Sequence, residues 1–318
     1  MGRLTEVLDG GPDPVDNGLY RVRGVFAMVI ITICGVLVST GLLVIVRWGG
    51  ARLTPPEPEP VTHRAADPFH VAAQNRALRR YTWWATVVMT AGVVSGVLMA
   101  GAGGRLVMRV LALTSPEAEG RITEALATVG DITAPGTFTL LLIGGLMGVL
   151  SAVSYVAVHR WLPPGRWAGL TFGLMLLVLF ATTFDPLRTD NIDFRFVGPG
   201  WLAAGLFSAL ILLHGMLVAA AANWYSARLP QYTDRGPLDY LPLLAGVVIL
   251  PAGLLLGLGA AIVLVSARFV PAAKIRPRWL SHRMVTWVGR TALLAVLLTA
   301  LPTFTASMAV ILSGPGFP

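Results

Sequence analysis

The sequence predicts an all-α fold, a polytopic transmembrane helix bundle of about seven spans with short interfacial helices. Three observations predict it. Of the 318 residues, 55% are hydrophobic and only 13% charged, against roughly 25% charged in soluble domains, so one water-soluble core cannot hide the apolar surface. Mean hydropathy is +0.72. Seven apolar runs, 25–46, 83–104, 137–159, 167–184, 201–224, 241–265 and 291–312, approach the roughly 20 residues that a helix rising about 1.5 Å per residue needs to cross about 30 Å of hydrocarbon.

Charge and cysteine usage narrow the setting. The formal net charge is +8, yet the basic residues are scattered among span ends, which suits lipid phosphates and argues against nucleic acid. Lys274 is the one lysine among 24 basic residues, and richness in Ala, Gly, Val and Arg points to a GC-rich bacterial gene and a bacterial cell membrane. Cys34, the one cysteine, lies in the first run, so the chain has neither a disulfide framework nor a thiolate metal site. That run is followed by Arg47-Trp48 rather than a small-residue cleavage signal, and reads as an uncleaved anchor.

Taken in order, residues 1–24 contain DGGPDPVDNG, whose Gly, Pro and Asp spacing lets no helix or strand persist, and read as a flexible tail. Residues 25–46 form the first anchor. Residues 47–82 are a polar linker in which TPPEPEP favours extended polyproline geometry, Asp67-Pro68 starts a helix, and Arg76, Arg79 and Arg80 lead a basic interfacial helix up to Trp83-Trp84. Residues 83–318 make the bundle.

Counting about 20 helical residues from Trp83 reaches Gly103-Gly104, so Arg105 and Arg109 emerge at the far boundary. There they either snorkel to lipid phosphate or hold a specific anion or acidic partner. The next stretch, SPEAEGRITEALATVGDIT, predicts one short surface helix. Ser115 suits the N-cap, Pro116 the first helical position and Gly130 the stop, while Glu117 and Arg121 stand four apart in the favourable order. Glu124 and Asp131 then share a boundary with Arg105 and Arg109, and at least one ion pair is expected among them.

Small residues mark packing faces. Gly92, Gly96, Ala100 and Gly104 recur every four residues in the second run, as do Gly144, Gly148 and Ala152 in the third, which predicts that these two helices pack together. Gly169 and Gly173 in the fourth run, and Gly253, Gly257 and Ala261 in the sixth, extend the theme.

Between the fourth and fifth runs, TTFDPLRTDNIDFRFVGPG crowds Asp185, Asp190, Asn191 and Asp193 together. These are oxygen ligands for a hard cation, but the central Gly and terminal Glu of a calcium loop are missing, and no metal is assigned. With alternating spans this loop shares a face with Glu124 and Asp131. Arg105, Arg109, Glu124, Asp131, Asp185, Asp190 and Asp193 therefore form the candidate interfacial site.

The sixth run contains Pro251, which predicts a kink or an unwound turn. With seven crossings the basic residues divide 14 against 10 between the two faces; if the run turns back at its Pro-Gly region they divide 8 against 16. Its length, 25 residues, is that of one tilted span, so seven crossings are the expectation and a re-entrant turn the alternative.

Chemistry is sparse. No Asp, Glu or Lys lies in the middle of a run, which speaks against a proton-coupled carrier. His214 is the one ionisable group at depth. It lacks a second histidine at matching height for haem, since His159 sits at a run's end, and reads as a neutral imidazole bonded to a neighbouring helix or as a functional polar site. GxSxG, HExxH and Walker motifs are absent, and no cofactor is expected. Three readings remain: a non-catalytic accessory or lipid-interacting subunit, partnered by membrane lipids and by a membrane protein or a second copy; an interfacial enzyme acting on a lipid-linked anionic substrate; and a transporter or channel.

Overall fold

The structure, a computed structural model, describes residues 14–54, 69–124, 128–183, 186–188, 190, 191, 193, 197–229, 257–262, 265 and 282–313. The chain forms α1 (Pro14–Trp48), α2 (Phe69–Ser95), a π-helical turn (Gly96–Gly101), α3 (Ala102–Leu113), α4 (Ala134–Val158), α5 (Arg166–Phe180), α6 (Gly200–Arg228) and α7 (His282–Ser313). Among the described residues there is no strand, only an isolated antiparallel bridge between Ile122 and Thr128. The molecule is an all-α helical membrane bundle.

Five stretches are long and apolar enough to cross a bilayer: Gly24–Trp48, Ala77–Leu113, Ala134–Trp161, Gly200–Arg228 and Met284–Ser313. The fourth sequence run forms the shorter α5, of 15 residues. The sixth, 241–265, lies outside the described residues except for 257–262 and 265.

Contacts fix which helix ends meet. At one end Arg166 Nη2 donates to the Val46 carbonyl at 3.2 Å, the Trp48 and Trp224 rings stand 4.8 Å apart, and Arg290 Nε donates to the Trp161 carbonyl at 3.2 Å. This arginine end gathers Trp48, Trp83, Trp84, Trp161, Trp167, Trp224 and Trp287. At the opposite, acidic end, Gly198 donates its N–H to Ser115 Oγ and Gly200 packs against the Ile311 carbonyl. Both Leu229, after α6, and His282, at the start of α7, thus stand at the arginine end. Gly259 packs on Tyr81, again at the arginine end.

Helix starts follow local chemistry. Thr133 caps α4 by accepting the Gly136 N–H at 3.2 Å, and Pro135 occupies the first turn, where a missing N–H costs nothing. The core centres on α6, whose Ala219, Ala220, Ala221 and Ala222 are all buried and let neighbours approach on every side. Trp83, Val87, Tyr155, Phe172 and Val218 fill the space around them.

Glycines set the closest approaches. A Cβ on Gly92 would lie 2.5 Å from Val149 Cα, and one on Gly148 would lie 2.7 Å from Gly96 Cα, so α2 and α4 touch backbone to backbone. The expected four-residue stripe holds from Gly92 to Gly96 and then changes register. The π-helical turn repeats at five residues, so Gly101 takes the place expected for Ala100, with its N only 2.6 Å from a Cβ built on Gly144. Gly104 meets nothing within 4 Å. Gly169 and Gly173 seat α5 on α6, where a Cβ would lie 3.0 Å from Met216 Cα and 2.7 Å from the Leu212 carbonyl oxygen.

Among the described residues the short helix expected after Ser115 is not present. One 3-10 turn, Pro116–Ala118, is followed by Gly120 at φ 81° and a tight loop in which Gly120 N–H meets the Val129 carbonyl at 3.1 Å and Val129 N–H meets the Arg121 carbonyl at 2.9 Å. Ser115 makes no cap hydrogen bond. An isolated helix of a few turns is marginal in water, and Gly120 in the left-handed region ends it after one turn.

Candidate functional site

At the acidic end the loops between α3 and α4 and between α5 and α6 meet through ionic groups. Arg188 Nη2 lies 2.5 Å from Glu124 Oε1, and Arg188 Nε lies 3.6 Å from Asp190 Oδ1. Asp193 Oδ1 accepts the Glu124 N–H at 3.0 Å, and the Asp193 N–H donates to Asn191 Oδ1 at 2.9 Å. Partial burial pushes the Asp193 carboxyl above the usual carboxylate range; the Glu124 N–H opposes this and the Glu124 charge adds to it. Glu124, Asp190 and Asp193 are thus brought together, with Arg188 as the cation that sequence reading did not single out. Asp185 lies outside the described residues.

The arginines named from the sequence stand apart from this cluster. Arg105 does not emerge into water: it is 8% exposed, in contact range of the Asp131 carbonyl through Nη2 at 3.4 Å, with its Nε buried and without a hydrogen-bond partner. Arg109 is half-buried. Among the described residues neither forms an ion pair with Glu124 or Asp131; Glu124 is taken by Arg188. The reason is geometric, since the loop folds back at Gly120 and carries Glu124 across to the α5–α6 loop. Among the described residues no group of three or more His, Cys, Asp or Glu is arranged to hold a metal.

At depth, His214 is 7% exposed and its Nε2 lies 3.2 Å from Ser151 Oγ of α4. The Ser95 backbone lies against the ring, while Nδ1 is buried without a hydrogen bond in good geometry. Ser95 immediately precedes the π-helical turn, so the imidazole sits where the α2 backbone changes pitch.

Nearer the arginine end runs a second polar chain. Tyr155 donates to Asn223 Oδ1 at 3.1 Å, Asn223 Nδ2 donates to the Ala51 carbonyl at 2.9 Å, and the Thr54 N–H donates to Ser226 Oγ at 3.0 Å. These bonds strap the segment after α1 onto α4 and α6. Asn223, an amide in the apolar run AAAANWY, was the signal available in the sequence.

The arrangement defines a multi-pass helical membrane protein. No family model matches the chain, and no solved structure matches it. The puromycin resistance protein pur8 of Streptomyces alboniger is 34% identical over 151 residues, which cover 46% of this chain and 26% of that protein. The chain therefore spans about a quarter of the length of the curated relative it matches.

Proposed function

We propose that the protein is a non-catalytic, lipid-interacting accessory protein of a bacterial cell membrane, with its arginine end in the cytoplasm. One observation carries the reading. Glu124–Arg188, Tyr155–Asn223 and Thr54–Ser226 are engaged with one another, whereas the arginine end presents the Arg160, Arg166 and Arg290 guanidiniums and the Trp167 and Trp287 indoles outward. Such a belt matches anionic head groups. Among the described residues ten arginines flank that end and six flank the other, the asymmetry that retains a face in the cytoplasm.

A fitting test is extraction of the full chain in mild detergent, followed by analysis of what accompanies it. Retained anionic lipid or a membrane protein at fixed stoichiometry is expected. A chain that emerges alone and lipid-free contradicts the reading.

The similarity to a puromycin resistance protein favours a second reading, export of a drug-like molecule. His214, Ser95 and Ser151 would be the polar groups met at mid-depth. Expression in a puromycin-sensitive host tests it: raised tolerance that is lost in His214→Leu supports transport and displaces the accessory reading.

A further inference from the structure

We infer that the groove between α5 and α7 at the arginine end is a binding site for one anionic phospholipid, its phosphate held by Arg160 and Arg290. The inference rests on the lipid-interacting reading and names the lipid class and the place. Trp161 organises both cations: the Arg160 guanidinium lies 4.6 Å from its ring centroid, and its carbonyl accepts Arg290 Nε at 3.2 Å. Gly289 fits directly against the indole, so α7 closes on Trp161 with no side chain between. Arg290 keeps its remaining N–H groups for a ligand. Both arginines are exposed, and among the described residues neither has a carboxylate partner.

Below Arg290, which lines the groove together with Trp161, Pro163 and Thr171, the walls are apolar. Leu162 and Met175 form one wall, and Leu293, Leu294 and Leu297 the other. From Arg290 to Leu297 the α7 rise is about 10 Å, so the groove runs from the head-group level into hydrocarbon along the helix axis, as an acyl chain does. Its volume of about 150 Å³ takes a length of acyl chain, whereas a packed helix about 10 Å wide does not fit. Arg290 on the slot, with Arg160 stacked on the Trp161 ring that also lines it, complements a lipid that is anionic at one end and aliphatic at the other.

The test uses the full chain, delipidated in detergent and offered phosphatidylglycerol and phosphatidylcholine in equal amounts, with retained lipid read by native mass spectrometry. One phosphatidylglycerol per chain is expected in preference to phosphatidylcholine. The double variant Arg160→Gln/Arg290→Gln should lower its retention about tenfold, the loss of a charge-assisted contact. Leu294→Trp, at a position 58% exposed and so tolerant of size, should obstruct the slot and lower retention while both charges remain. Undiminished phosphatidylglycerol in both variants overturns this site but leaves the lipid-interacting reading standing. No preference for phosphatidylglycerol in the unaltered chain overturns both.

Discussion

Tyr155 and Asn223 meet hydroxyl to amide at 3.1 Å, and through Asn223 the bond continues to the Ala51 carbonyl at 2.9 Å. Both side chains are almost fully buried, at 2% exposure each, so losing either partner strands a polar atom. Asn223→Ala should therefore cost about 1–3 kcal/mol, and Tyr155→Phe less because it breaks one bond of the two. Thermal unfolding in detergent micelles measures both. An unaltered midpoint in Asn223→Ala would show that the segment after α1 is held by packing alone.

The glycine contacts give a sharper comparison, because two glycines, one from each of the two paired stripes, differ in surroundings. A methyl at Gly148 would press on Gly96 Cα at 2.7 Å, while one at Gly104 meets nothing within 4 Å. Gly148→Ala should destabilise by about 1–3 kcal/mol through overpacking, and Gly104→Ala should leave the midpoint nearly unchanged. Equal effects would contradict the five-residue step at the π-helical turn.

That pair also shows how far sequence reasoning reaches. Spans were legible because a bilayer demands runs of about 20 apolar residues whatever the tertiary structure. The stripe was legible as far as Gly96, but a π-turn has no simple residue signature, so the shift to Gly101 was not. Gly120 has a positive φ that composition alone does not reveal, and the surface helix was misread there. At the candidate site Glu124, Asp190 and Asp193 were found by type and loop position. Their cation was not, because the Glu124–Arg188 contact joins residues 64 apart and depends on how the loops fold.

Asp193 makes stability at the acidic end depend on pH. Its folded carboxyl holds a proton more readily than an unfolded one, chiefly because it is partly buried. The folded state then binds more protons between the unfolded and folded pKa values, and this group's contribution falls as pH rises through that window. Asp193→Asn removes the dependence while keeping an oxygen for the Glu124 N–H. The unfolding midpoint of the unaltered chain, minus that of Asp193→Asn, should decrease as pH is raised from the carboxylate range toward neutrality. A difference that grows with pH would mean the hydrogen bond from Glu124 outweighs burial.

The topology can be read in intact cells. With Cys34 replaced by Ala, single cysteines at Glu124, Pro164 and Met284 report three loops or helix ends. Pro164 lies just before α5 and Met284 in the first turn of α7, and Arg290 of α7 is bonded to the Trp161 carbonyl beside that loop. The two positions must therefore share one aqueous side, and Glu124 must occupy the other. If the arginine end is cytoplasmic, a membrane-impermeant maleimide should label Glu124→Cys in whole cells and the other two only after the cells are opened. Labelling of all three in reverse order would place the arginine end, with ten of the described arginines, on the translocated face, against the usual bias. Labelling of Pro164→Cys and Met284→Cys from opposite sides would be a different failure, since it would require 229–281 to make a net crossing and would separate α5 from the start of α7.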